Sequence, residues 1–272
     1  MPRCSRVIRT VQDTGVTCLS LLGLQLWYLS YPDQALHQSS QALTLVRQLS
    51  HPFSLAEALF FSGVVHILRR KAQAAQERLG AVLALSTEQG FPHWVTLGTV
   101  LCGWTRVAQG QGDVGMAQMR QGLEAWRGTS GEAARPWLLS LLAEAYSLAE
   151  AVEEGLTVVA EALALVRTRE ERQPEAELCR LTGELQLARS MTDAAEAEAS
   201  FQQALTIARQ QQAKALDLRA AVSLSQLWRR QGKRAEARQL LTGIYRWFAE
   251  GFDTADLREA KTVMEELSAP LA

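Results

Sequence analysis

The side chains able to ligate a metal or attack a substrate are few and scattered. The four histidines, His37, His51, His66 and His93, form no HExxH or comparable ligand pair. The cysteines Cys4, Cys18, Cys102 and Cys179 stand far apart, with no CxxC and no Cys/His cluster. Neither a zinc site nor a secreted disulfide framework is expected from them, and reduced thiols in a cytosol fit better. There is no Walker A sequence and no GxSxG. The carboxylate pairs Glu153-Glu154 and Glu265-Glu266 read as solvated helix faces. Gly110-Gln-Gly112-Asp-Val-Gly115 does match GxGxxG, but a dinucleotide site needs a strand before the glycines so that a helix amino end meets a pyrophosphate. Here the preceding segment has helical periodicity, so the glycines read as a turn. No catalytic, cofactor-binding or metal-binding residue is assigned, and the chain is not expected to be an enzyme.

Charge excludes further classes. With 28 Lys and Arg against 29 Asp and Glu, the net charge of −1 supplies no electrostatic basis for binding nucleic acid or an anionic membrane. Arg69-Arg70-Lys71 and the basic run 229–234 read as solvated turns. Arg3, Arg6 and Arg9 precede an apolar run over 16–29 that imitates a signal peptide, but Asp13 interrupts the approach and no small-x-small cleavage site follows. No other stretch approaches the ~20 apolar residues of a membrane span. A cytoplasmic location is expected.

The elements that would position any site are set by two series of small residues. Gly23, Ser62, Gly103, Ala143, Gly183 and Ser225 recur at steps of 39–42 residues, each inside an apolar, helix-periodic segment. Ala35, Ala74, Gly115, Gly155, Ala197 and Ala237 recur at the same steps. Two series sharing one period mark a tandem repeat whose unit is two helices. First helices are expected over 14–29, 54–69, 93–109, 135–149, 175–189 and 214–231. Their partners are expected over 33–49, 72–89, 113–127, 152–168, 193–211 and 233–249, with a last helix over 254–267. Pro52, Pro92, Pro136 and Pro174 fall at the starts of first helices, where a missing N–H costs little; Pro32 is expected in a turn. Asp33, Asp113 and Asp193 precede second helices and are expected to cap them. Glycine inside a helix costs about 1 kcal/mol relative to alanine, so Gly103 implies close approach of the paired helix. On that reading Gly103→Leu unfolds its repeat and Gly103→Ala is nearly neutral.

Residues 135–167 carry a finer pattern. Leu139, Leu142, Ala143 and Tyr146, then Gly155, Val159 and Ala162, resemble the spacing of a tetratricopeptide (TPR) helix pair. The period exceeds the ~34 residues of the common unit, and armadillo and HEAT repeats of ~40–47 residues are the structural alternative. The expected fold is all-α: a right-handed α-solenoid of about six TPR-like helix pairs with a C-terminal capping helix. Its repeats would span about 13–50, 51–90, 91–131, 132–172, 173–212 and 213–250, between a tail or partial cap at 1–12 and a capping helix and tail at 251–272. Trp27, His66, Trp104, Trp137, Glu144, Arg180, Glu184, Gln226 and Arg229 fall on first-helix positions expected to face a concave groove. A protein or peptide partner is expected there, against an aromatic first half and a charged second half. Packing between neighbouring repeats is the competing role for each of these residues.

Local phrases extend the resemblance. They include Leu49-Ser-His-Pro-Phe-Ser-Leu55, Glu88-Gln-Gly-Phe-Pro-His-Trp94 and Trp247-Phe-Ala-Glu-Gly-Phe-Asp-Thr-Ala-Asp-Leu257. Over about 13–267 the chain resembles the C-terminal TPR region of bacterial signalling proteins that join an adenylate/guanylate cyclase domain to an AAA-type ATPase. The resemblance implies a regulatory or sensory scaffold, with docking onto an ATPase or cyclase domain at the N-terminal end. It carries over no catalytic residue, because neither a P-loop nor the cyclase aspartates are present. The first repeat begins without a clear capping helix, which leads us to expect a fragment of a longer protein or a makeshift cap at 1–12.

Overall fold

The computed structural model describes residues 12–129, 134–169 and 171–269. Among these, thirteen α-helices and one 3-10 turn account for the secondary structure, with no strand. The helices are α1 Thr14–Tyr28, α2 Pro32–Leu49, α3 Pro52–Leu68, α4 Ala72–Gln89, α5 Pro92–Ala108, α6 Gly112–Thr129, α7 Arg135–Leu148, α8 Val152–Arg169, α9 Glu175–Arg189, α10 Ala194–Gln210, α11 Lys214–Arg230, α12 Arg234–Tyr245 and α13 Ala255–Ser268. They form six consecutive helix pairs followed by a terminal helix. The described residues divide into two compact units, 12–27 with 32–129, and 28–31 with 134–269.

The turns repeat as regularly as the helices. Within hairpins, Ser30, Arg70, Gly110, Glu150 and Gly232 all have positive φ, between 54° and 83°. Between hairpins Ser50, Gly90, Gln212 and Gly251 do so, between 49° and 72°. One left-handed residue per turn reverses the chain in the manner of a helix C-cap. Gly110, the first glycine of the GxGxxG match, is one of these, with α5 before it and α6 after it. Hairpin five departs from the rule. Gly183 and Ala197 are 14 residues apart where the other pairs of the two series are 12 apart. The two extra residues are taken up where Ser190 runs extended into the 3-10 turn Met191–Asp193.

Prolines occupy the first helical turn of α3, α5 and α7. Pro32, expected in a turn, instead opens α2, where its fixed φ suits the first helical position. The aspartate caps are also revised. Asp33 lies inside α2 and takes the guanidinium of Arg69 at 3.0 Å, one repeat on. Asp193 stands at the N-cap of α10 without a side-chain cap, its carboxylate 2.9 Å from Arg189. Asp13 caps α1, its Oδ1 accepting from the Val16 amide at 3.0 Å in the first turn.

The paired small residues are where helices of one hairpin touch. A Cβ added to Gly23 would lie 3.0 Å from the Ala35 carbonyl oxygen, and one added to Gly103 only 2.6 Å from that of Gly115. In hairpin six the Ser225 hydroxyl donates to the Ala237 carbonyl at 3.3 Å. At Gly103 the obstacle is backbone, with the Met119 amide nitrogen at 2.8 Å as well. Gly103→Ala therefore cannot be neutral, contrary to the sequence expectation. At Gly183 the space is filled differently, by the ring of Phe201. The core of the second unit is mostly leucine around one ring: Phe201, Leu218, Leu224, Leu227, Leu241 and Leu257 are each at most 1% exposed. Trp228, at the register of the buried Tyr146, is only half-buried and turns its indole N–H onto Glu198 at 2.8 Å.

Candidate binding surface

The candidate partner residues share registers on the first helices. Trp104, Glu144, Glu184 and Gln226 each follow the small residue of their helix by one position. Trp27, His66 and Arg229 follow it by four. Arg180 precedes it by three and Trp137 by six. These registers lie within one helical stripe.

In the first unit the stripe is filled. Trp27 and Trp104 are each 3% exposed, so they supply packing rather than accessible surface. His66 is half-buried, and its Nδ1 has no hydrogen-bond partner among the described residues. Burial, with Arg78 and Arg69 nearby, holds its pKa below the usual imidazole value, so the ring is neutral at pH 7. Other aromatic residues pack within and across hairpins two and three. Phe53 meets Phe91 at 5.1 Å and Trp94 at 5.8 Å between ring centroids, and His93 meets Trp94 at 4.8 Å and Trp126 at 5.2 Å. His51, by contrast, is the N-cap of α3, its Nδ1 accepting from the Ser54 amide at 3.2 Å. His51 and His93, each beside the proline that opens a first helix, thus have different structural roles. Glu57 of α3 is 2% exposed and takes the Thr17 hydroxyl of α1 at 3.0 Å. Burial raises its pKa despite that bond.

In the second unit the same stripe is charged. The Arg180 guanidinium of α9 donates to Glu177 at 2.6 and 3.0 Å and to Glu184 one turn on. Glu184 also accepts from the Ser223 hydroxyl of α11 at 2.9 Å. Arg219 of α11 reaches Asp256 of α13 at 3.0 Å and Glu177 at 3.5 Å. Further along, the Gln226 amide donates to Glu259 at 3.2 Å, and Arg229 pairs with Glu266. Burial alone would push both central guanidiniums toward neutrality. The carboxylates, chiefly Glu177 with Glu184 for Arg180 and Asp256 with Glu177 for Arg219, outweigh it and hold both well above the ordinary arginine pKa. Glu144 of α7 adds to the field on both.

The structure thus brings Arg180, Glu184, Gln226 and Arg229 into one set of connected or adjacent pairs, with Glu144 beside it. Trp137 is half-buried at the start of α7. Glu177, Arg219, Ser223, Asp256 and Glu259 were not singled out in the sequence. The available signal was register: Glu177 and Arg219 occupy the place of Ala56 and Leu97. Beside the network a cavity of about 290 Å³ opens between α9 and α11, with Leu187, Phe201 and Leu227 among its apolar lining and Glu184, Ser223 and Gln226 among its polar lining. Among the described residues no group of three or more His, Cys, Asp or Glu is placed to hold a metal ion, and no helix is long and apolar enough to cross a membrane.

No protein-family model matches the sequence. No curated protein matches it either. Solved structures do. The chain is similar to NprR in complex with its cognate peptide NprX, at 16% identity and a TM-score of 0.66, covering 96% of this chain and 74% of that one. It is similar to the apo form of RapI at 13% identity and a TM-score of 0.62, covering 96% and 89%. Yeast Tom70 matches at 13% identity and a TM-score of 0.54, over 88% of this chain and 46% of that one. At these identities the likeness concerns the fold. The fold is an all-α helical repeat of the TPR type.

Proposed function

We propose that this chain is a non-enzymatic interaction scaffold that holds an extended peptide or partner segment against the first-helix face of its second unit. The observation that carries the reading is the network joining α9, α11 and α13, which fixes Glu184 and Gln226 on one face while leaving both in partial contact with solvent. Preformed polar groups on rigid helices bind without first having to be ordered. That NprR, a neighbour in fold, was solved with a peptide supports the same reading. In the setting suggested by the sequence phrases, the scaffold is the regulatory or sensory part of a bacterial, cytoplasmic signalling protein.

A second reading has an observation of its own. Helix α1 carries no charged residue, and Leu21 and Leu22 on it are 42% and 46% exposed. An uncharged, exposed apolar face suits docking onto a neighbouring domain, such as the ATPase or cyclase domain of a longer protein.

Photo-crosslinking tests the main reading. With p-benzoylphenylalanine at Gln226 we expect a partner adduct in host cells, and none with the same group at the exposed Arg238 of α12. Equal adducts at both sites, or ATP or GTP turnover by the purified chain that a point substitution abolishes, would refute it.

A further inference from the structure

The geometry points to a basic peptide with one large apolar side chain as the occupant of the second unit's first-helix face. The apolar side chain sits in the cavity between α9 and α11, and the cationic side chains flanking it face the carboxylates around that cavity. The inference rests on the scaffold reading above and names the chemistry of its partner.

Size comes first. A cavity of about 290 Å³ lies at the lower edge of the ~300–1,000 Å³ that hold small-molecule ligands. It suits a single leucine- or methionine-sized side chain better than a cofactor. Its apolar lining, Leu187, Phe201 and Leu227, rewards burial of such a group. At its rim Ser223 and Gln226 are positioned for a peptide backbone: Gln226 commits its Nε2 to Glu259 and keeps an acceptor oxygen for an N–H.

Charge decides the flanks. Glu144, Glu177, Glu184, Asp256, Glu259 and Glu266 supply six carboxylates along the face, against the three guanidiniums of Arg180, Arg219 and Arg229. Arg180 and Arg219 are hidden, their side chains 4% and 6% exposed, and Arg229, 32% exposed, is paired with Glu266, while the Glu184 side chain is 36% exposed. Beside the cavity a ligand therefore meets the carboxylate of Glu184 rather than the guanidiniums of Arg180 and Arg219. Arg230 also lines the cavity and repels a cation on its own side, which places the ligand's cation toward Glu184. An acidic peptide would find Arg180 and Arg219 hidden and Arg229 already paired with Glu266.

Three fluorescein-labelled synthetic heptapeptides test this with the full chain by fluorescence anisotropy: Ala-Lys-Ala-Leu-Ala-Lys-Ala, its leucine-to-alanine version and its lysine-to-glutamate version. The first should bind, and more weakly as salt rises. Loss of the leucine should weaken binding by roughly 10-fold or more, the scale of one buried side chain. The glutamate version should not bind. Ala188→Trp, which fills the cavity from an exposed position, should weaken the leucine peptide by a similar factor and leave the alanine peptide unaffected, with an unchanged circular-dichroism melt. Glu259→Gln should lower affinity and flatten the salt dependence. Tighter binding of the glutamate version, or equal binding of the leucine and alanine peptides to both proteins, overturns the inference. If no peptide binds while Gln226 still crosslinks a partner on its face alone, this inference fails and the scaffold reading stands. If the crosslink also fails, both are lost.

Discussion

Gly103→Ala is the substitution on which the register of the helix pairs depends most directly. Alanine at this position would gain about 1 kcal/mol of intrinsic helix propensity. Against that, the added Cβ would lie 2.6 Å from the Gly115 carbonyl oxygen, 2.6 Å from Met119 Cγ and 2.8 Å from the Met119 amide nitrogen. A methionine chain can rotate away, but the backbone of α6 can yield only by moving the helix. The opposed position has the same limit, since a Cβ on Gly115 would meet the Gly103 carbonyl oxygen at 2.5 Å and the Val107 amide nitrogen at 2.8 Å. Overpacking of this kind costs typically 1–3 kcal/mol. With backbone as the obstacle the upper part of that range applies, for a net loss of about 1–2 kcal/mol. In chains of this size each kcal/mol shifts Tm by about 2–4 °C. Because repeat arrays can open locally, amide hydrogen exchange is the sharper assay, and protection should fall in α5 and α6 before it falls elsewhere. Gly80→Ala on α4 is the control: nothing lies within 4 Å of its added Cβ, so it should stabilise by up to ~1 kcal/mol. A Gly103→Ala variant melting at or above the parent, with α5 and α6 protection intact, refutes the close contact.

Three further outcomes follow from buried charge and buried thiols. Arg219→Ala removes the guanidinium paired with the buried Asp256 and should cost about 3–5 kcal/mol, read as faster exchange and proteolysis at α13; replacing Arg219 and Asp256 together by apolar residues should recover most of the loss, and equal losses in both variants would contradict the pairing. Burial raises the folded-state pKa of Glu57, so its stabilising contribution is fully present below the ordinary carboxylate pKa and is lost as pH rises through the folded value. Glu57→Gln should therefore raise Tm at pH 7 and lose that advantage on acidification, and a pH-independent difference would count against it. Burial pushes the Cys102 and Cys179 thiols up to about 11, while Cys18 is exposed; iodoacetamide at pH 8 should label Cys18 and spare the other two until the chain is unfolded, as peptide mass mapping can show.

The architecture was legible because it is written in local signals. Helix periodicity, small residues at a fixed step and prolines at helix starts each act within one hairpin, so reading them requires no knowledge of what lies across the fold. Even the irregularity at hairpin five was visible as a 14-residue gap between Gly183 and Ala197, though its resolution into a 3-10 turn was not. What the sequence concealed were pairings made one repeat away. Asp33 satisfies every local criterion for a cap, yet its carboxylate serves Arg69 at the start of the next hairpin's turn. Trp27 and Trp104 have the types expected of a partner face, but large rings next to small residues are drawn into the nearest packing space, and both are buried.

Stacking does leave a usable trace of those hidden pairs. Neighbouring repeats place like registers of their first helices side by side, so an ionisable residue at a register held elsewhere by Ala, Leu or Gly cannot stay unpaired without a large desolvation cost. Its partners then come from its own helix or from an adjacent repeat. Glu57 stands where Gly98, Leu138 and Leu178 stand in other repeats, and its partner is Thr17, one repeat earlier. Glu177 and Arg219 stand where Ala56 and Leu97 do, and they meet each other across the same interval. Asp256 then completes the pattern from the terminal helix. At Glu57, Glu177 and Arg219 a charge out of place in its register thus accompanies an inter-repeat contact, and in the second unit such contacts accumulate beside the cavity assigned to the partner's side chain.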